Sequence, residues 1–508
     1  MSSIAPPAAP PKAGAREWTG LAVLALPTLL VSLDQSVLFL ALPHLAESLR
    51  PSGVQTLWIM DIYGFLMAGF LVTMGTLGDR VGRRKLLMLG GVAVIATSLL
   101  AAYSDSPEML ILSRALLGVA AASLMPSTLA LISNMFQDPQ ERGRAIAMWA
   151  SCFMAGTALG PVVGGLLLEH YWWGSVFVLG VPVMLVMLVA APFLLPEYRA
   201  PRTGKLDLVS VVLSLAAILP VVYGLKEMAK EGPGTLPVAL IVAGLAVGAV
   251  FVSRQRRLDD PVLDVRLFRN PAFTASLALT TLLMVGVSGS YLFITGFLQM
   301  VEGLGPVEAG LWMVPSAIAS IVSAMLAPAL ARRFSVPGVI AGGLLLAMGG
   351  YAVMVFVDPV GGLPLLMTGF VVCFFGTGPI GALGTNLVVS SAPPEKGGSA
   401  ASLQETSSHL GVALGIASLG SLGSLVYRDR ITVPDGVPAG AADSIRTGLE
   451  GALTVAPTLP DALGAEVLTA ARDAYTGGLN VIAVVCAVFT AGTAVIAMTA
   501  LRRVGAPR

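Results

Sequence analysis

The stretch GTLGDRVGRRK at residues 75–85 links two apolar segments, at 56–77 and 86–104. Each segment is long enough to cross a bilayer, because a transmembrane helix needs about 20 predominantly apolar residues. Two spans joined by a short, basic, glycine-rich loop are typical of a membrane protein that crosses the bilayer repeatedly. Long apolar segments and short polar loops alternate along the rest of the chain in the same way.

The apolar segments predict an all-α polytopic membrane protein. No apolar-polar alternation of the kind found in the strands of membrane barrels is present, so we expect the spans to be helices. We predict fourteen transmembrane helices, at residues 18–42, 56–77, 86–104, 108–134, 144–168, 173–195, 207–225, 236–253, 272–298, 307–330, 337–357, 362–391, 399–426 and 478–501.

The composition excludes several other classes of protein. Hydrophobic residues make up 56% of the chain and charged residues only 12%, where a soluble globular protein carries about 25% charged residues. A formal net charge of +1, without basic runs that contain aromatic residues, gives no reason to expect a nucleic-acid partner. Cys152, Cys373 and Cys486 all lie in apolar segments and lack the spacing of metal ligands, so we expect no metal site.

The distribution of Lys and Arg predicts the orientation in the membrane. Most of the 30 Lys and Arg residues fall on loops of one side, and such loops face the cytoplasm. We therefore expect both termini in the cytoplasm, a multi-pass protein of the cell inner membrane, and a disordered cytoplasmic tail at residues 1–17. On the outside, residues 428–476 are rich in Gly, Ala and Pro, and predict a loop or small cap without a packed core of its own.

Internal repetition suggests two related halves. The loop after the second span reads LGDRV at residues 77–81, and the loop after the tenth reads LARRF at residues 330–334. An offset of eight spans fits a six-helix bundle at 18–196, two additional helices at 207–253, and a second six-helix bundle at 271–501. Two bundles around a midplane cavity are the architecture of many secondary transporters.

Five ionisable residues inside the spans are the strongest indication of function, since each is costly to hold in hydrocarbon unless it faces a cavity or a partner. Asp34 lies well inside the first span, and two interpretations remain open: a carboxylate that gains and loses a proton, or a permanent ion pair with Arg114. Arg114 could lower a neighbouring carboxylate's pKa or serve as a structural counter-ion. The other three are Asp61, Glu405 and His409.

Asp61 combines a carboxylate with aromatic neighbours. Trp58 and Phe65 share its helix face at i−3 and i+4, and Tyr63 lies nearby in the stretch WIMDIY at residues 58–63. An organic cation there would meet negative charge and ring faces together. Because Asp61 is close to the end of its span, an interfacial anchor is the alternative.

Glu405 and His409 are one helical turn apart, so they could share a proton, and Gln404 precedes them. A structural, hydrogen-bonded role remains open for both. In the fifth span, Gly156, Gly160 and Gly164 stand on one helix face. They predict close helix packing, to which Pro161 would add a bend, with Gly165 beside them.

These motifs resemble those of the major facilitator superfamily. The loop at 75–85 is similar to the family signature, which implies a cytoplasmic gating loop that breaks and reforms contacts as the bundles rock. Its motif residues are Gly75, Gly78, Asp79, Arg80, Gly82, Arg83 and Arg84. The run at 156–165 resembles the family's antiporter motif, which implies export, and Arg114 resembles the arginine of the fourth span.

Across essentially the whole chain, the spans, Asp34, the stretch at 58–63 and the loop DVRLF at 264–268 resemble the fourteen-helix drug:proton antiporters of the QacA, LfrA and SmvA type. That resemblance implies proton coupling and recognition of lipophilic cations at Asp34, Asp61 and Glu405. Two departures from this family pattern concern the charge of the substrate. The tenth span lacks the additional acid that the QacA-type pump with dicationic substrates carries. Around Glu405, Gln404 and His409 replace part of the family's acid pair.

We therefore expect a monomeric, proton-coupled multidrug efflux antiporter for amphipathic, cationic compounds such as quaternary ammonium compounds and dyes, with no cofactor beyond the proton gradient. The alternative is a dedicated exporter of an endogenous antibiotic or metabolite. An enzyme is not expected, because the three histidines at 44, 170 and 409 are scattered. A channel would require a selectivity filter or rings of pore-lining charge, which the sequence lacks.

Overall fold

The structure is a computed structural model that describes residues 12–51, 53–199, 207–231, 234–258, 261, 263–393 and 397–502. Within these ranges every regular element is a helix. The first half contains α1 (Ala15–Leu49), α2 (Gly53–Val81), α3 (Arg83–Ala102), α4 (Pro107–Ala121), α5 (Leu124–Met135), α6 (Pro139–His170), α7 (Ser175–Val178) and α8 (Gly180–Leu194).

Two helices follow, α9 (Leu208–Glu231) and α10 (Thr235–Gln255), and then the second half. Its helices are α11 (Pro271–Gly296), α12 (Pro306–Phe334), α13 (Val336–Met354), α14 (Leu363–Ser390), α15 (Gly397–Arg430), α16 (Ala439–Thr447), α17 (Leu449–Val455) and α18 (Asp461–Arg502). Short 3₁₀ segments lie at Val265–Arg269 and Ala456–Thr458, and a π-helical turn, Phe297–Val301, extends α11.

Three helices begin at a polar residue followed by proline. The side chains of Ser106, Asp138 and Asn270 accept hydrogen bonds from backbone N–H groups in the first turns of α4, α6 and α11. Each cap satisfies donors that have no partner within the helix, and proline fits the first helical position because its missing N–H would be unpaired there anyway. These loop sequences therefore determine where the spans begin.

About twelve helical segments of the described chain are long and apolar enough to cross a membrane, and α6 adds a thirteenth if its two parts, bent by 42°, form one span. By length and apolar composition, the described chain therefore has fewer membrane-spanning helices than the fourteen predicted. The remaining stretch, Val209–Leu225, is apolar but short, because Lys226 and Glu227 interrupt the hydrophobic sequence of α9.

Residues at the N-terminus differ from the prediction of a disordered tail over 1–17. Helix α1 begins at Ala15, before the predicted start of the first span at residue 18. Just before it, the backbone N–H of Ala13 donates a hydrogen bond to Glu141 Oε2 at 2.7 Å. The prediction is therefore wrong from residue 13 onward, and residues 1–11 lie outside the described chain.

Each half has its own large hydrophobic cluster, and that of the first half also includes Val389 and Ala401 of the second. In the first half α1 packs on α6 and α2 packs on α4, whereas in the second half α11 packs on α15 and α13 lies between α14 and α18. The halves meet where α6 contacts α12 and α2 contacts α15. We call the end of the bundle that carries Arg83, Arg142, Arg254 and Arg332 the basic end.

At the basic end the halves are in direct contact. Arg332 Nη1, at the end of α12, donates to Gln140 Oε1 in the first turn of α6 at 3.1 Å. Ala147 packs with Ala324 and Ala382 across the boundary. The two halves are therefore closed against each other at this end.

Helices α9 and α10 are central in the sequence but peripheral in the structure. They form an antiparallel pair, and α9 packs on α2 and α15. At their basic end, Arg254 Nε donates to Asp207 Oδ2 at 2.9 Å, and Ser210 Oγ donates to the same oxygen at 2.7 Å. The Ser210 hydrogen bond and the Arg254 ion pair lower the pKa of Asp207. This pair of helices thus covers the line along which the two halves meet.

Residues 428–476 form a cap that packs on the second half. Ile445, Leu449 and Ala452 are buried and belong to the same hydrophobic core as Tyr351 in α13. The Tyr427 hydroxyl donates to the carbonyl of Ile445 at 3.0 Å. As predicted, these residues do not build a separate core. Their apolar side chains instead extend the hydrophobic core of the bundle. The Gly- and Ala-rich composition did not indicate this packing.

Candidate functional site

Asp34 and Arg114 form a buried ion pair between α1 and α4. Arg114 Nη1 donates to Asp34 Oδ2 at 2.8 Å, and the exposed side-chain fractions are 2% for Arg114 and 15% for Asp34. Arg114 Nε donates to the backbone carbonyl of Ile59 in α2 at 3.3 Å. One guanidinium therefore connects three helices of the first half.

Aromatic rings complete the surroundings of Arg114. Its guanidinium carbon lies 4.6 Å from the ring centroid of Tyr63 and 5.8 Å from that of Phe177, which are cation–π distances. Gly118 allows this approach, since a Cβ at that position would overlap the backbone carbonyl of Tyr63. The guanidinium thus keeps favourable contacts beyond its bond to Asp34.

A small cavity of about 20 Å³ borders Asp34, and Tyr63 and Ser98 also line it. Roughly 10–15 Å³ is enough to hold one water molecule. The cavity therefore has room for a single water beside the carboxylate, which is the kind of space that a proton would need in order to reach Asp34.

The glycines of α6 position the part of α1 that carries Asp34. A Cβ at Gly156 would overlap Ser32 Oγ and the carbonyl of Leu29, and a Cβ at Gly164 would overlap the side chain of Val37. Close contact of small residues is how helices pack tightly in membranes. Ser32 and Val37 lie on either side of Asp34 in sequence, so this packing fixes the height and rotation of the carboxylate.

Other residues of the predicted antiporter motif lie at different surfaces. Gly160 is buried, and Gly165 faces Val307 in α12, so it packs across the boundary between the halves. The side chain of Pro161 lies outside the described part of the structure. The motif therefore contacts both α1 and the opposite half.

The predicted aromatic neighbours of Asp61 face α9. The Trp58 ring stacks on Tyr223 with centroids 6.0 Å apart, and Phe65 meets Tyr223 edge-on at 6.4 Å. Tyr63 lies on the other side of α2, against Arg114. The Asp61 side chain is outside the described residues, and the predicted cation site stays a prediction.

Gln404, Glu405 and His409 face three different surroundings. Gln404 Nε2 donates to the hydroxyls of Thr280 at 3.2 Å and Thr385 at 3.4 Å, inside the second half. The Glu405 side chain is partly exposed, and His409 borders a cavity between α2, α9, α10 and α15. Glu405 and His409 form no ion pair within 4.0 Å in the described part of the chain, although they lie one turn apart.

The loop at residues 75–85, predicted to act as a gate, is held by a buried ion pair. Arg83 is fully buried, and its Nε donates to Asp79 Oδ1 at 3.0 Å. A Cβ at Gly78 would overlap the Arg83 guanidinium, which explains this glycine. Gly82 has a φ of 118°, a conformation that residues with a side chain rarely adopt. The remaining motif residues Gly75 and Arg80 are buried.

The loop is also bound to the end of α8. Arg84 Nη1 donates to the carbonyl of Leu195 at 3.0 Å, and the backbone N–H of Arg84 donates to Glu197 Oε1 at 3.1 Å. The N–H of Arg83 donates to the carbonyl of Tyr198 at 2.9 Å. The predicted gating residues Gly78, Asp79, Gly82, Arg83 and Arg84 are therefore in one network.

Sequence reasoning did not single out Phe177, Glu197 or Tyr223. Glu197 follows the sixth span and precedes a basic stretch. Its negative charge was the only feature of the sequence that indicated a partner for the basic loop at residues 75–85. Tyr223 and Phe177 gave no signal, because aromatic residues in apolar helices are most often packing residues. In the described ranges no group of three or more His, Cys, Asp or Glu residues could hold a metal ion.

Comparison with known proteins identifies the family. The profile of the Major Facilitator Superfamily matches residues 24–416. Over 488 residues the chain is 41% identical to the multidrug efflux pump LfrA of Mycolicibacterium smegmatis, with 96% of this chain and 97% of that one covered. It is 34% identical over 476 residues to the methyl viologen resistance protein SmvA of Salmonella typhimurium, covering 91% and 93%.

A third relative is the tetracenomycin C resistance and export protein of Streptomyces glaucescens, which is 31% identical over 474 residues and covers 92% of this chain and 88% of its own. Among solved structures, the human organic anion transporter MFSD10 gives a TM-score of 0.58 at 15% identity, with 93% and 99% covered. A bacterial homolog of the human lysosomal transporter Spinster gives 0.59 at 18% identity, with 96% and 97% covered. These two structures support the fold alone.

The family profile, the relatives that match along almost the whole length, and the two packed helical halves lead to one conclusion. The chain belongs to the Major Facilitator Superfamily and is a multi-pass membrane transporter of that family.

Proposed function

We propose that this transporter is a proton-coupled antiporter that exports amphipathic, cationic compounds. The observation that carries the proposal is the buried pair of Asp34 and Arg114, 2.8 Å apart, beside a cavity with room for one water. A charged carboxylate deep in a membrane span is energetically unfavourable unless it faces a cavity or pairs with another group. Two relatives, a multidrug efflux pump and a methyl viologen resistance protein, favour efflux and cationic substrates.

The proposed topology has fourteen spans with both termini in the cytoplasm of a bacterial cell. Helix α9 contains 24 residues in total, and at about 1.5 Å per residue it can cross a hydrocarbon core of about 30 Å. The basic end would face the cytoplasm under the positive-inside rule. The protein would act as a monomer in the inner membrane, without a cofactor.

The proton step would begin with a proton from outside binding Asp34 Oδ2. Protonation neutralises the carboxylate and weakens its bond to Arg114 Nη1, so that the buried guanidinium loses its counter-charge. Because an uncompensated buried charge is strongly unfavourable, α1 and α4 would shift until the pair reforms. Reforming the pair favours loss of the proton, which would leave toward the cytoplasm while substrate moves outward.

The test is transport of a fluorescent cationic dye in everted vesicles. With a pH gradient, inside acidic, we expect dye to accumulate in vesicles that contain the protein, and nigericin, which exchanges potassium for protons, should collapse the accumulation. Vesicles from cells that lack the protein provide the baseline. Accumulation that persists after the pH gradient is abolished would contradict proton coupling.

A second candidate is export of an antibiotic or metabolite that the cell makes. It is favoured by the 31% identity to the tetracenomycin C resistance and export protein. A multidrug pump would protect a sensitive host against several chemically unrelated dyes and quaternary ammonium compounds. Protection against one compound class alone would favour the dedicated exporter.

Substitution of Asp79 tests the role of the gating loop. In Asp79→Asn the buried Arg83 guanidinium loses its carboxylate, and the loop lies at the basic end, away from Asp34. We expect turnover in vesicles to fall about tenfold or more, equivalent to about 1.4 kcal/mol, while binding of a fluorescent substrate to the purified protein changes little. Weaker binding with normal turnover would show that the loop does not control cycling.

Substitution of Asp61 and Glu405 tests substrate selection. These acids belong to opposite halves, so a monocation could be held between them. Asp61→Asn and Glu405→Gln should each weaken transport of a cationic dye by about tenfold, or about 1.4 kcal/mol, and affect a neutral substrate much less. Equal losses for both substrates, together with loss of proton release on drug addition, would place these acids in the proton path.

A further inference from the structure

A cavity of about 650 Å³ lies between the two additional helices and the line where the halves meet. Its volume is within the range of about 300–1,000 Å³ found for small-molecule sites. We call it the α9/α10 groove. It is largely apolar, and it is bordered among others by Val72, Ile218, Gly248, Val252, Arg256 and His409.

The groove has the depth of one membrane leaflet. On α10 it extends from Gly244, in the middle of the helix, to Arg256, at its C-terminal cap. At about 1.5 Å per residue this corresponds to roughly 18 Å, and half of a hydrocarbon core of about 30 Å is roughly 15 Å. The groove therefore runs from the middle of the membrane to the basic end.

A positive charge lies at the basic end of the groove. Arg256 is exposed, and within the described part of the chain it has no carboxylate partner, whereas Arg254 is paired with Asp207 at 2.9 Å. A guanidinium at the membrane surface binds phosphate through paired hydrogen bonds, and basic sites between transmembrane helices on the cytoplasmic side bind anionic headgroups. The same charge would repel a lipophilic cation.

We propose that the α9/α10 groove binds an anionic phospholipid, whose phosphate contacts Arg256 and whose acyl chain lies along the apolar surface toward Gly244. Three observations support this occupant: the apolar surface, its one-leaflet length, and the Arg256 guanidinium, which has no carboxylate partner among the described residues. The lipid would fasten α9 and α10 to α2 and α15. The inference does not depend on the transported substrate.

Arg256→Gln tests the headgroup contact, and Arg257→Gln is its matched control, because Arg257 is exposed on the same turn but does not border the groove. The full chain is purified in detergent, and its melting temperature is followed as phosphatidylglycerol is added. We expect Arg256→Gln to require at least about tenfold more lipid for half of the stabilisation, or about 1.4 kcal/mol. The Arg257→Gln protein should match the parent, and phosphatidylcholine should stabilise both less.

Gly248→Leu tests the acyl-chain contact. A Cβ at Gly248 would meet only Ala217 Cβ, at 3.7 Å, so a larger side chain can enter the groove without moving the backbone. We expect this variant to lose the stabilisation by phosphatidylglycerol. Gly342→Leu is the control, because Gly342 in α13 is exposed and has nothing within 4 Å of its added Cβ.

Three results would overturn the proposal. One is equal stabilisation of Arg256→Gln and the parent by phosphatidylglycerol. Another is full stabilisation by inorganic phosphate alone, which would show an anion site without an acyl-chain groove. The third is stabilisation of the parent by a lipophilic cation added without lipid, with that stabilisation lost in Gly248→Leu, which would make the groove a substrate site. None of these readouts requires transport, so failure here and failure of the proposed efflux function can be distinguished.

Discussion

Replacing Asp34 with Asn is expected to reduce proton-driven efflux to the background of empty vesicles. The amide keeps the shape of the carboxylate and can still accept a hydrogen bond from Arg114 Nη1, but it cannot carry a proton. Tyr63 and the carbonyl of Ile59 would still contact the guanidinium, so we expect the variant to fold and insert. The measurement is dye accumulation in everted vesicles, with the amount of folded protein checked by fluorescence-detected size-exclusion chromatography.

Asp443→Asn is the control for this variant. Asp443 pairs with Arg446 at 3.7 Å on the exposed surface of the cap, and exposed ion pairs contribute only about 0–1 kcal/mol. Transport should therefore stay at the parental level. Proton-driven transport that survives in Asp34→Asn would mean that Asp34 and Arg114 form a permanent structural pair.

Replacing Gly156 with Leu is expected to abolish transport by moving Asp34. A Cβ at this position already overlaps the carbonyl of Leu29 and Ser32 Oγ, so α1 and α6 would have to separate. Overpacking of this kind costs typically about 1–3 kcal/mol, and the carboxylate two residues after Ser32 would shift relative to Arg114. Efflux and melting temperature should both fall, with Gly156→Ala intermediate.

Gly349→Leu provides the comparison for Gly156→Leu. Gly349 lies in α13, and nothing is within 4 Å of the Cβ that would be added there. This variant should retain efflux, which would show that a larger side chain in a membrane helix is tolerated where there is space. Normal efflux in Gly156→Leu would refute the role of the glycine motif in positioning α1.

The sequence predicted the features that depend on local pattern. Long apolar segments predicted where the helices lie, and the glycines at 156 and 164 predicted the close packing that the structure places between α6 and α1. Asp34 and Arg114 were recognised because ionisable residues are rare in apolar spans. The structure places their charged groups 2.8 Å apart, a contact that a permanent ion pair and a proton-exchanging carboxylate both allow.

Features that depend on the packing of distant helices were not predicted. The spacing of Trp58 and Phe65 predicted that their rings share one face of α2. It did not predict that Tyr223 of α9 packs against that face. Nothing in residues 428–476 indicated that Ile445 would be fully buried. A single sequence contains the periodicity of each helix and leaves open which helix lies against each face.

Drug-induced proton release by the purified protein tests the central claim most directly. In weakly buffered solution containing a pH-sensitive dye, addition of a cationic substrate to the detergent-solubilised parent should release protons, because exchange requires a proton to leave when substrate binds. The account predicts release by the parent and by Asp443→Asn, and no release by Asp34→Asn. Undiminished release by Asp34→Asn would contradict the assignment of the exchanging proton to Asp34.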